Sequence, residues 1–302
     1  MKTIKYLFIA ILAMVTVSCT KDNSIGPVGT LALKLSDAPM HYDQFMSASV
    51  TIDKIEIGNS TDANSFVMVM NTQMQYNMLE LVNGITESLA STDIPIGNYD
   101  VIRLYISDTQ MILKDGTIFN YNMAQNAFSG SGMGMMQNGM VLNNDKRSID
   151  IKLNKMINIT TDNMSEYLMD IDVANSFNLE GVTFSGSGSN MMMNMSGFKF
   201  NPAMRVVDMN NSGTITGTIH DANGNLSNTT VSLMRNGTLY TSTHSNANGN
   251  YTFIGIPQGK YTMTAEQDGY SLNPVGNDQN MSAMNMMSNT TLNVDFNMMA
   301  SN

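Results

Sequence analysis

Methionine provides the side chains with the most distinctive chemistry in this sequence. The chain contains 31 methionines in 302 residues, and many of them stand in three clusters rich in Asn, Gly and Ser. The first two clusters are Met133, Met135, Met136 and Met140, and Met191, Met192, Met193 and Met195. The third cluster is Met281, Met284, Met286 and Met287. Because thioether sulfurs select Cu(I), the first two clusters are candidate ligands for Cu(I) or Ag(I).

Two alternatives to metal binding stay open for the methionine clusters. Methionine forms adaptable surfaces for apolar partners. Otherwise the clusters are an oxidant sink or a low-complexity insertion that has drifted in sequence. All three clusters fall between the predicted strands. The sequence pattern therefore does not assign them to a packed core.

Residues suited to catalysis do not form a recognisable set. Asp170 and Asp172 share one strand face, as paired glycosidase acids can, but a solvated outer face is the simpler interpretation. His41, His220 and His244 show no metal-ligand spacing, although His220 and His244 are candidates for neighbouring strands. The sequence also lacks a G-x-S-x-G motif and a phosphate-binding glycine loop. These observations predict a protein that is not an enzyme and that needs no cofactor.

The start of the sequence is typical of a secretion signal. Lys2 and Lys5 precede an apolar stretch over residues 6–17. A membrane-spanning helix needs roughly 20 apolar residues, so this stretch is too short to span a bilayer. Cys19, the only cysteine, follows it and has no partner for a disulfide.

Ser18 and Cys19 at the end of the apolar stretch resemble the lipobox of bacterial lipoproteins, with Thr16 standing where leucine is usual. The resemblance implies that residues 1–18 are removed and that Cys19 carries a covalent lipid, which anchors the protein in a membrane. Ordinary signal cleavage beside an uninvolved cysteine is the alternative. Residues 20–23 partly resemble the export tag of Bacteroidetes surface lipoproteins, so outward display and periplasmic residence both stay open.

Composition limits the partners of the chain. The formal net charge is -10 and the sequence pI is about 4.6. A nucleic-acid partner is excluded, because the phosphate backbone is bound by basic faces. Charged residues make up 13% of the chain, about half the usual share. The length is sufficient for two domains, each with its own core.

Apolar residues alternate with period two along much of the chain, which predicts an all-β protein. Leu31, Leu33 and Leu35 share one face of a first strand. Within residues 48–57 the apolar phase slips by one residue, as a β-bulge would produce. Residues 76–90 contain the best candidate for a helical turn or two.

Five short stretches resemble one family, a domain of unknown function found in exported bacterial lipoproteins. In chain order they are S-D-A-P, L-E-L-V-N-G, I-P-I-G-N-Y-D-V-I-R-L, M-D-I-D-V-A-N-S-F and F-N-P-A-M-R-V. The resemblance covers about residues 28–208. It implies a β-rich exported domain and supplies no reaction.

The last third of the chain is similar to the carboxypeptidase regulatory-like domain, a prealbumin-like sandwich. The matching elements are G-x-I-x-D-x-x-G from Gly217 and G-x-Y-x-F-x-x-I-P-x-G-x-Y-x-M from Gly249. Asn236-Gly237 between them is a strong signal for a two-residue hairpin. The resemblance covers about residues 213–298 and implies an accessory or spacer module without peptidase chemistry.

The sequence thus predicts an all-β protein with two β-sandwich-like domains after a lipoprotein signal peptide. The divisions are the signal peptide at 1–18, a lipidated tether at 19–29, a β-rich domain at 30–208 and a sandwich at 213–298. The predicted function is non-catalytic binding, adhesion or assembly at the outer surface of a Gram-negative-type outer membrane, with the membrane and an unidentified protein or glycan as partners. The alternatives are a Cu(I)- or Ag(I)-handling envelope protein and an accessory polysaccharide-binding lipoprotein.

Overall fold

A computed structural model describes residues 26–38, 44–122, 140–142, 148–186, 192–272 and 283–301. Strands dominate both halves of the described chain, so the all-β prediction is confirmed. The strands of the first domain are β1 Val28–Ala38, β2 Phe45–Asn59, β3 Asp62–Met70, β4 Met74–Asn77, β5 Glu87–Pro95, β6 Gly97–Leu113, β7 Ile118–Asn122, β8 Met140–Leu142, β9 Ser148–Ile159, β10 Ser165–Asp172, β11 Phe177–Glu180, β12 Thr183–Ser185, β13 Met192–Asn194, β14 Gly197–Phe200 and β15 Met204–Asp208.

The second domain continues the same pattern with ten strands. They are β16 Ser212–Asp221, β17 Gly224–Asn225, β18 Thr230–Arg235, β19 Thr238–His244, β20 Asn250–Pro257, β21 Gly259–Glu266, β22 Tyr270–Leu272, β23 Met284–Met286, β24 Thr291–Asn293 and β25 Phe296–Ala300. Helical structure in the described chain is limited to the short helix α1 Val173–Ser176 and to 3-10 turns at Met78–Glu80 and Met209–Asn211. None of the described helices is long and apolar enough to cross a membrane.

The first domain packs two sheets face to face. The four-stranded sheet has the order β15-β10-β1-β5, with β1 and β10 parallel. The seven-stranded sheet has the order β3-β2-β6-β9-β8, with β4 paired to β2 and β7 paired to β6. Leu31, Leu33 and Leu35 of β1 are fully buried between the sheets, as their alternation predicted.

A bulge in β2 explains the phase slip in residues 48–57. The pairing of β2 with β6 shifts register around Ile52 and Lys54. Because of this extra residue, Val50 and Ile52 before the bulge and Ile55 after it all reach the same core and are fully buried. The predicted bulge is confirmed. The predicted helical segment within 76–90 is only the 3-10 turn Met78–Glu80, because the chain enters β5 soon afterwards.

The second domain is also a sandwich. Its six-stranded sheet has the order β17-β16-β25-β22, with β20 and β24 paired to β16, and its four-stranded sheet has the order β19-β18-β21-β23. Ile215 and Ile219 of β16 are fully buried in its core. Between them, Gly217 is required by close approach, since a Cβ there would collide with the carbonyl oxygen of Val294. Asn236 and Gly237 both have positive φ, 53° and 76°, as the predicted two-residue hairpin turn requires.

Both domains contain the same local structure at an I-P-x-G-x-Y sequence. In the first domain, the Tyr99 hydroxyl donates a hydrogen bond to the carbonyl oxygen of Pro95 at 2.8 Å. In the second domain, the Tyr261 hydroxyl donates to the carbonyl oxygen of Pro257 at 2.9 Å. The glycine between them has φ of 157° or 158° in the two cases. A single strand-to-strand connection is therefore used twice in this chain.

Candidate functional site

Three of the family motifs meet on the outer face of the four-stranded sheet. The parallel register of β1 and β10 places Ser36 opposite Asp170, and the antiparallel register of β10 and β15 places Asp170 opposite Arg205. Ser36 Oγ donates a hydrogen bond to Asp170 Oδ1 at 2.9 Å. Arg205 Nε donates to Asp170 Oδ2 at 2.6 Å. Both carboxylate oxygens of Asp170 are thus occupied by donors from neighbouring strands.

The expectation that Asp170 lies on a solvated outer face is wrong. Its side chain is 6% exposed, and Leu168 on the same face of β10 is 1% exposed. The second domain covers this face: Gly255 lies so close that a Cβ there would be 2.9 Å from Leu168 Cδ2. Alternation along β10 correctly indicated two faces, but it cannot show that another domain covers the outer one.

Arg205 connects the covered face to the second domain. Its guanidinium carbon lies 4.4 Å from the ring centroid of Tyr240 in β19, and Tyr240 in turn packs edge-on against Tyr261 with centroids 5.5 Å apart. Burial opposes the charge of Arg205, but the charge of Asp170, its hydrogen bond and the neighbouring Tyr240 together outweigh this effect, so the pKa of Arg205 is raised and the side chain stays cationic. Its Nη1 is buried without a hydrogen-bond partner among the described residues.

A second set of motif side chains fixes the end of this sheet. The Asp37 carboxylate accepts a hydrogen bond from the backbone N–H of Val173 at 3.1 Å. Asp172 caps the short helix α1 by accepting from the N–H of Asn175 at 3.0 Å. Ser176 Oγ accepts from the N–H of Ala203 at 2.9 Å. Asp170 and Asp172 therefore serve different structural contacts, and the geometry gives them no shared reacting position.

Polar contacts surround the packed centre of the interface between the domains. Asn83 Nδ2 donates to the carbonyl oxygen of Asn250 at 3.3 Å. At the connection between the domains, Ser288 Oγ donates to the carbonyl oxygen of Asn211 at 3.2 Å. Only the 3-10 turn Met209–Asn211 separates β15 from β16. A short capped connection and these polar contacts hold the two domains in one arrangement.

The structure describes part of the predicted metal site. Met133, Met135, Met136 and Met191 lie outside the described residues, as do the predicted lipidation site Cys19 and His41. Met140 lies in β8, where it pairs with Ile151. Met192 and Met193 are neighbours in β13 but differ in exposure, at 52% and 3%, and Met195 packs against the first core. Cu(I) or Ag(I) binding by these clusters stays a prediction.

Two expectations about methionine and histidine placement are wrong. Parts of all three methionine clusters form strands, and Met193 and Met286 are core residues. These strands, β13 and β23, have three residues each, too few to show a period-two pattern. His220 in β16 and His244 in β19 belong to different sheets. Among the described residues, no group of three or more His, Cys, Asp or Glu side chains could hold a metal ion.

One open groove lies at the far end of the second domain, with a volume of about 440 Å³. Its lining combines strand ends and a turn: His220, Asp221, Ala222, Asn223, Asn297, Met298, Met299 and Ala300. The Asp221 carboxylate is used within the turn, where Oδ1 accepts from the N–H groups of Asn223 and Gly224 at 2.8 and 3.0 Å. These backbone hydrogen bonds lower the pKa of Asp221. The Asp221 carboxylate is thus engaged within the turn.

Motif residues in this protein therefore build a fixed two-sandwich scaffold, with carboxylates and an arginine in structural contacts. The chain belongs to the family described as Domain of unknown function (DUF4382), whose model matches residues 28–191. The model of the Carboxypeptidase regulatory-like domain matches residues 214–298. Both resemblances inferred from the motifs are thereby confirmed. No curated protein matches the sequence.

Solved structures show only a distant likeness. GBS52, the minor pilin of Streptococcus agalactiae, has 10% identity and a TM-score of 0.25, over 90% of this chain and 96% of that chain. BcpA, the major pilin subunit of Bacillus cereus, has 8% identity and a TM-score of 0.23, over 91% and 100%. The Bacillus anthracis TIE protein has 10% identity and a TM-score of 0.24 over 89% of this chain, which spans 40% of that protein. Scores this low support no conclusion about function.

Sequence reasoning did not assign a role to Ser36, Arg205 or Tyr240. Ser36 and Arg205 stand inside two of the family motifs, and pairing the motif strands in register would have placed both beside Asp170. Tyr240 lies outside every motif and comes from the other domain. No sequence signal in a single chain identifies such a contact.

Proposed function

We propose that this chain is a non-catalytic lipoprotein of the outer membrane, anchored through Cys19, that binds or assembles with a partner at the outer surface. The observation that supports this role is the covered interface around Asp170 and Arg205. It joins two sandwiches into one arrangement, which suits a protein that holds a recognition surface in a defined orientation. Connecting loops at the ends of such a scaffold are the usual sites of recognition.

Contacts across the interface oppose a change in this arrangement. Arg205 and Asp170 both belong to the first domain, and their hydrogen bond holds the arginine that faces the second domain. Reorienting the domains would separate Arg205 from Tyr240 and expose Leu168 beneath Gly255. The domains are thus expected to move as one body.

The proposed anchor sets the distance from the membrane. Eight residues separate Cys19 from Val28, where β1 begins. An extended chain spans at most about 3.3–3.6 Å per residue, so the first domain would lie within about 30 Å of the lipid. A polybasic patch is not required, because a diacylated or triacylated cysteine anchors firmly by itself.

Lipid labelling tests the anchor directly. Cells expressing the wild-type chain or Cys19→Ala are grown with radiolabelled palmitate, and the immunoprecipitated proteins are compared. We expect labelled wild-type protein and unlabelled Cys19→Ala. Ser18→Ala is the matched control, because it keeps a small residue before the cysteine and should be labelled like the wild type. Equal labelling of the wild type and Cys19→Ala would contradict the anchor.

Orientation and binding need separate measurements. Protease treatment of intact cells should degrade the displayed protein, whereas a periplasmic protein would be degraded only after lysis. The purified full chain, held in detergent, is then applied to arrays of matrix proteins and of glycans. Selective retention on proteins favours adhesion or assembly, and selective retention on glycans favours the accessory polysaccharide-binding alternative. Retention on neither array would contradict a broad adhesive role.

A further inference from the structure

Among the described residues, methionines occur three times as sequence neighbours with opposite environments. In β13, Met192 is 52% exposed and Met193 is 3% exposed. In β25, Met298 is 2% exposed and Met299 is 42% exposed. Period-two alternation along a strand produces this separation, because successive side chains point to opposite faces. One methionine of each pair therefore packs in a core and the other meets solvent.

The third pair shows most clearly how the inward sulfur is shielded. Met286 at the end of β23 is 2% exposed, and Met287 directly after it is 60% exposed. The Thr290 hydroxyl oxygen lies 3.6 Å from Met286 Sδ and donates a hydrogen bond to the carbonyl oxygen of Met287 at 2.7 Å. The same sulfur would collide with a Cβ on Gly213, so Gly213 leaves the space that this sulfur fills. No comparable packing constrains the outward Met287 among the described contacts.

Outward methionines are also found away from these pairs. Met46, Met68 and Met156 lie on strands of the first domain and are 58%, 52% and 56% exposed. Methionine is ordinarily among the more buried side chains. Fold stability does not explain a methionine at these positions, because any polar strand residue would serve there. The feature that these residues share is an exposed thioether side chain.

We propose that six of the exposed methionines, Met46, Met68, Met156, Met192, Met287 and Met299, consume hydrogen peroxide while the fold stays intact. In each event the thioether sulfur donates an electron pair to one peroxide oxygen. The S–O bond forms as the O–O bond breaks, and the departing oxygen takes a proton to leave as water. Sulfur is oxidised by two electrons to the sulfoxide, and peroxide is reduced by two electrons.

The position of each sulfur decides what oxidation does to the protein. A sulfoxide on an outward side chain keeps its new polar oxygen in water. A sulfoxide on Met193, Met286 or Met298 would place an unpaired polar oxygen in a packed core, which is strongly unfavourable. Reaction at the outward positions is therefore compatible with a folded protein, and this separation does not depend on a lipid anchor or on a binding partner.

The three pairs provide an internal control for the first test. The purified full chain is treated with hydrogen peroxide, and tandem mass spectrometry follows the sulfoxide at each methionine. We expect the outward member of every pair to react at least tenfold faster than its inward neighbour. We also expect an unchanged unfolding temperature when the six outward residues are fully oxidised. Equal rates within the pairs, or an unfolding temperature that falls with the first oxidations, would overturn the proposal.

A substituted chain tests whether these six residues consume the oxidant. Replacing all six with leucine keeps their apolar character and approximate size. The variant should consume six fewer equivalents of peroxide per chain before the inward methionines react. The matched control replaces Ile85, Ile96 and Ile118, which are also exposed, with leucine and should consume as much peroxide as the wild type. An unchanged consumption by the six-residue variant would refute the assignment.

Discussion

Two arginine–aspartate pairs lie across neighbouring strands of the first domain, one on each sheet. On the seven-stranded sheet, Arg103 forms two hydrogen bonds to Asp150, at 2.6 and 2.8 Å, and its guanidinium carbon lies 3.7 Å from the ring centroid of Phe66. On the four-stranded sheet, Arg205 forms a hydrogen bond of 2.6 Å to Asp170. The two pairs share their chemistry and their cross-strand geometry.

The covering of the two carboxylates differs. The Asp150 side chain is 22% exposed, whereas the Asp170 side chain is 6% exposed. The aromatic ring over Arg103 belongs to Phe66 in β3 of the same sheet, whereas the ring over Arg205 belongs to Tyr240 of the other domain. The pair is thus partly open to solvent on one sheet, whereas on the other sheet the second domain covers it and contacts its arginine. The two arginines are almost equally exposed, at 23% and 22%, so the difference in solvent access lies at the two carboxylates.

Replacing the arginine of each pair should give the largest difference in the free energy of unfolding between the two pairs. Arg205→Met leaves Asp170 buried without its charged partner, and we expect the free energy of unfolding to fall by about 3–5 kcal/mol. Arg103→Met leaves Asp150 within reach of solvent and should cost about 1 kcal/mol or less. Urea unfolding followed by circular dichroism measures both changes.

A double replacement shows whether the loss comes from the unpaired charge. Arg205→Met combined with Asp170→Leu removes both charges, and replacing a buried pair by apolar residues is often close to neutral. We therefore expect the double variant to be more stable than Arg205→Met alone. A double variant less stable than the single one would mean that the specific contacts of Asp170, including the one from Ser36, dominate.

The closeness of the domains can be tested at Gly255. This residue has φ of 63°, and a Cβ there would lie 2.9 Å from Leu168 Cδ2. Gly255→Ala adds strain from the left-handed backbone to a collision within the interface, for an expected loss of about 2–3 kcal/mol. Gly116→Ala is the control, because Gly116 has φ of 88° but open space around its Cβ position. Its expected loss is about 1–2 kcal/mol, from the backbone alone. Equal losses would argue against tight packing at the interface.

Replacing the aromatic rings should have a smaller effect. Tyr240→Leu removes the ring over Arg205 and its edge contact with Tyr261. We expect a loss of about 1–2 kcal/mol, since a cation–π contact is stronger when desolvated. Phe66→Leu removes the ring beside Arg103, whose pair with Asp150 is more open to solvent, and should cost about 0.5–1 kcal/mol. Thermal unfolding of both variants tests this order, and a larger loss for Phe66→Leu would reverse the comparison.

Alkaline pH is expected to destabilise the first domain through Tyr167, which lies on the inner face of β10, the strand that carries Asp170. Burial in the first core, with a contribution from the negative charge of Asp208, raises the pKa of Tyr167 to about 12. The folded state then keeps a proton that the unfolded state releases near pH 10. The stabilisation is complete below about pH 10 and is lost as pH rises from about 10 to about 12.

Urea unfolding at a series of alkaline pH values measures this loss. Stability of the wild type should decline over that range, and Tyr167→Phe should decline less steeply because it has no phenol to ionise. Other buried tyrosines contribute to the wild-type slope, since burial also raises the pKa of Tyr251. Identical slopes for the wild type and Tyr167→Phe would contradict the raised pKa.

Much of the architecture could be predicted from local patterns. The alternation in Leu31, Leu33 and Leu35 correctly indicated a core strand, and the phase slip near Ile52 correctly indicated a bulge. Asn236-Gly237 correctly indicated a hairpin turn. These features depend on near neighbours in the chain and on the two-residue period of a strand, so the sequence alone is sufficient to predict them.

Short strands and contacts between domains could not be predicted. Met193 and Met286 lie in three-residue strands within polar stretches, where too few positions exist to show alternation. Asp170 follows a polar-outward pattern, and only its position beneath the second domain makes it buried. Both failures involve residues whose environment is set by distant parts of the chain.

The sequence by itself determined the all-β class, the two family resemblances, the position of the single cysteine and the abundance of methionine. Tertiary structure alone decided which methionine of each neighbouring pair is exposed. It also decided which arginine–aspartate pair is covered by the second domain. The physical reason is that solvent access depends on what packs against a side chain. Asp150 and Asp170 occupy equivalent outward positions in their strands, and only one of them has another domain above it.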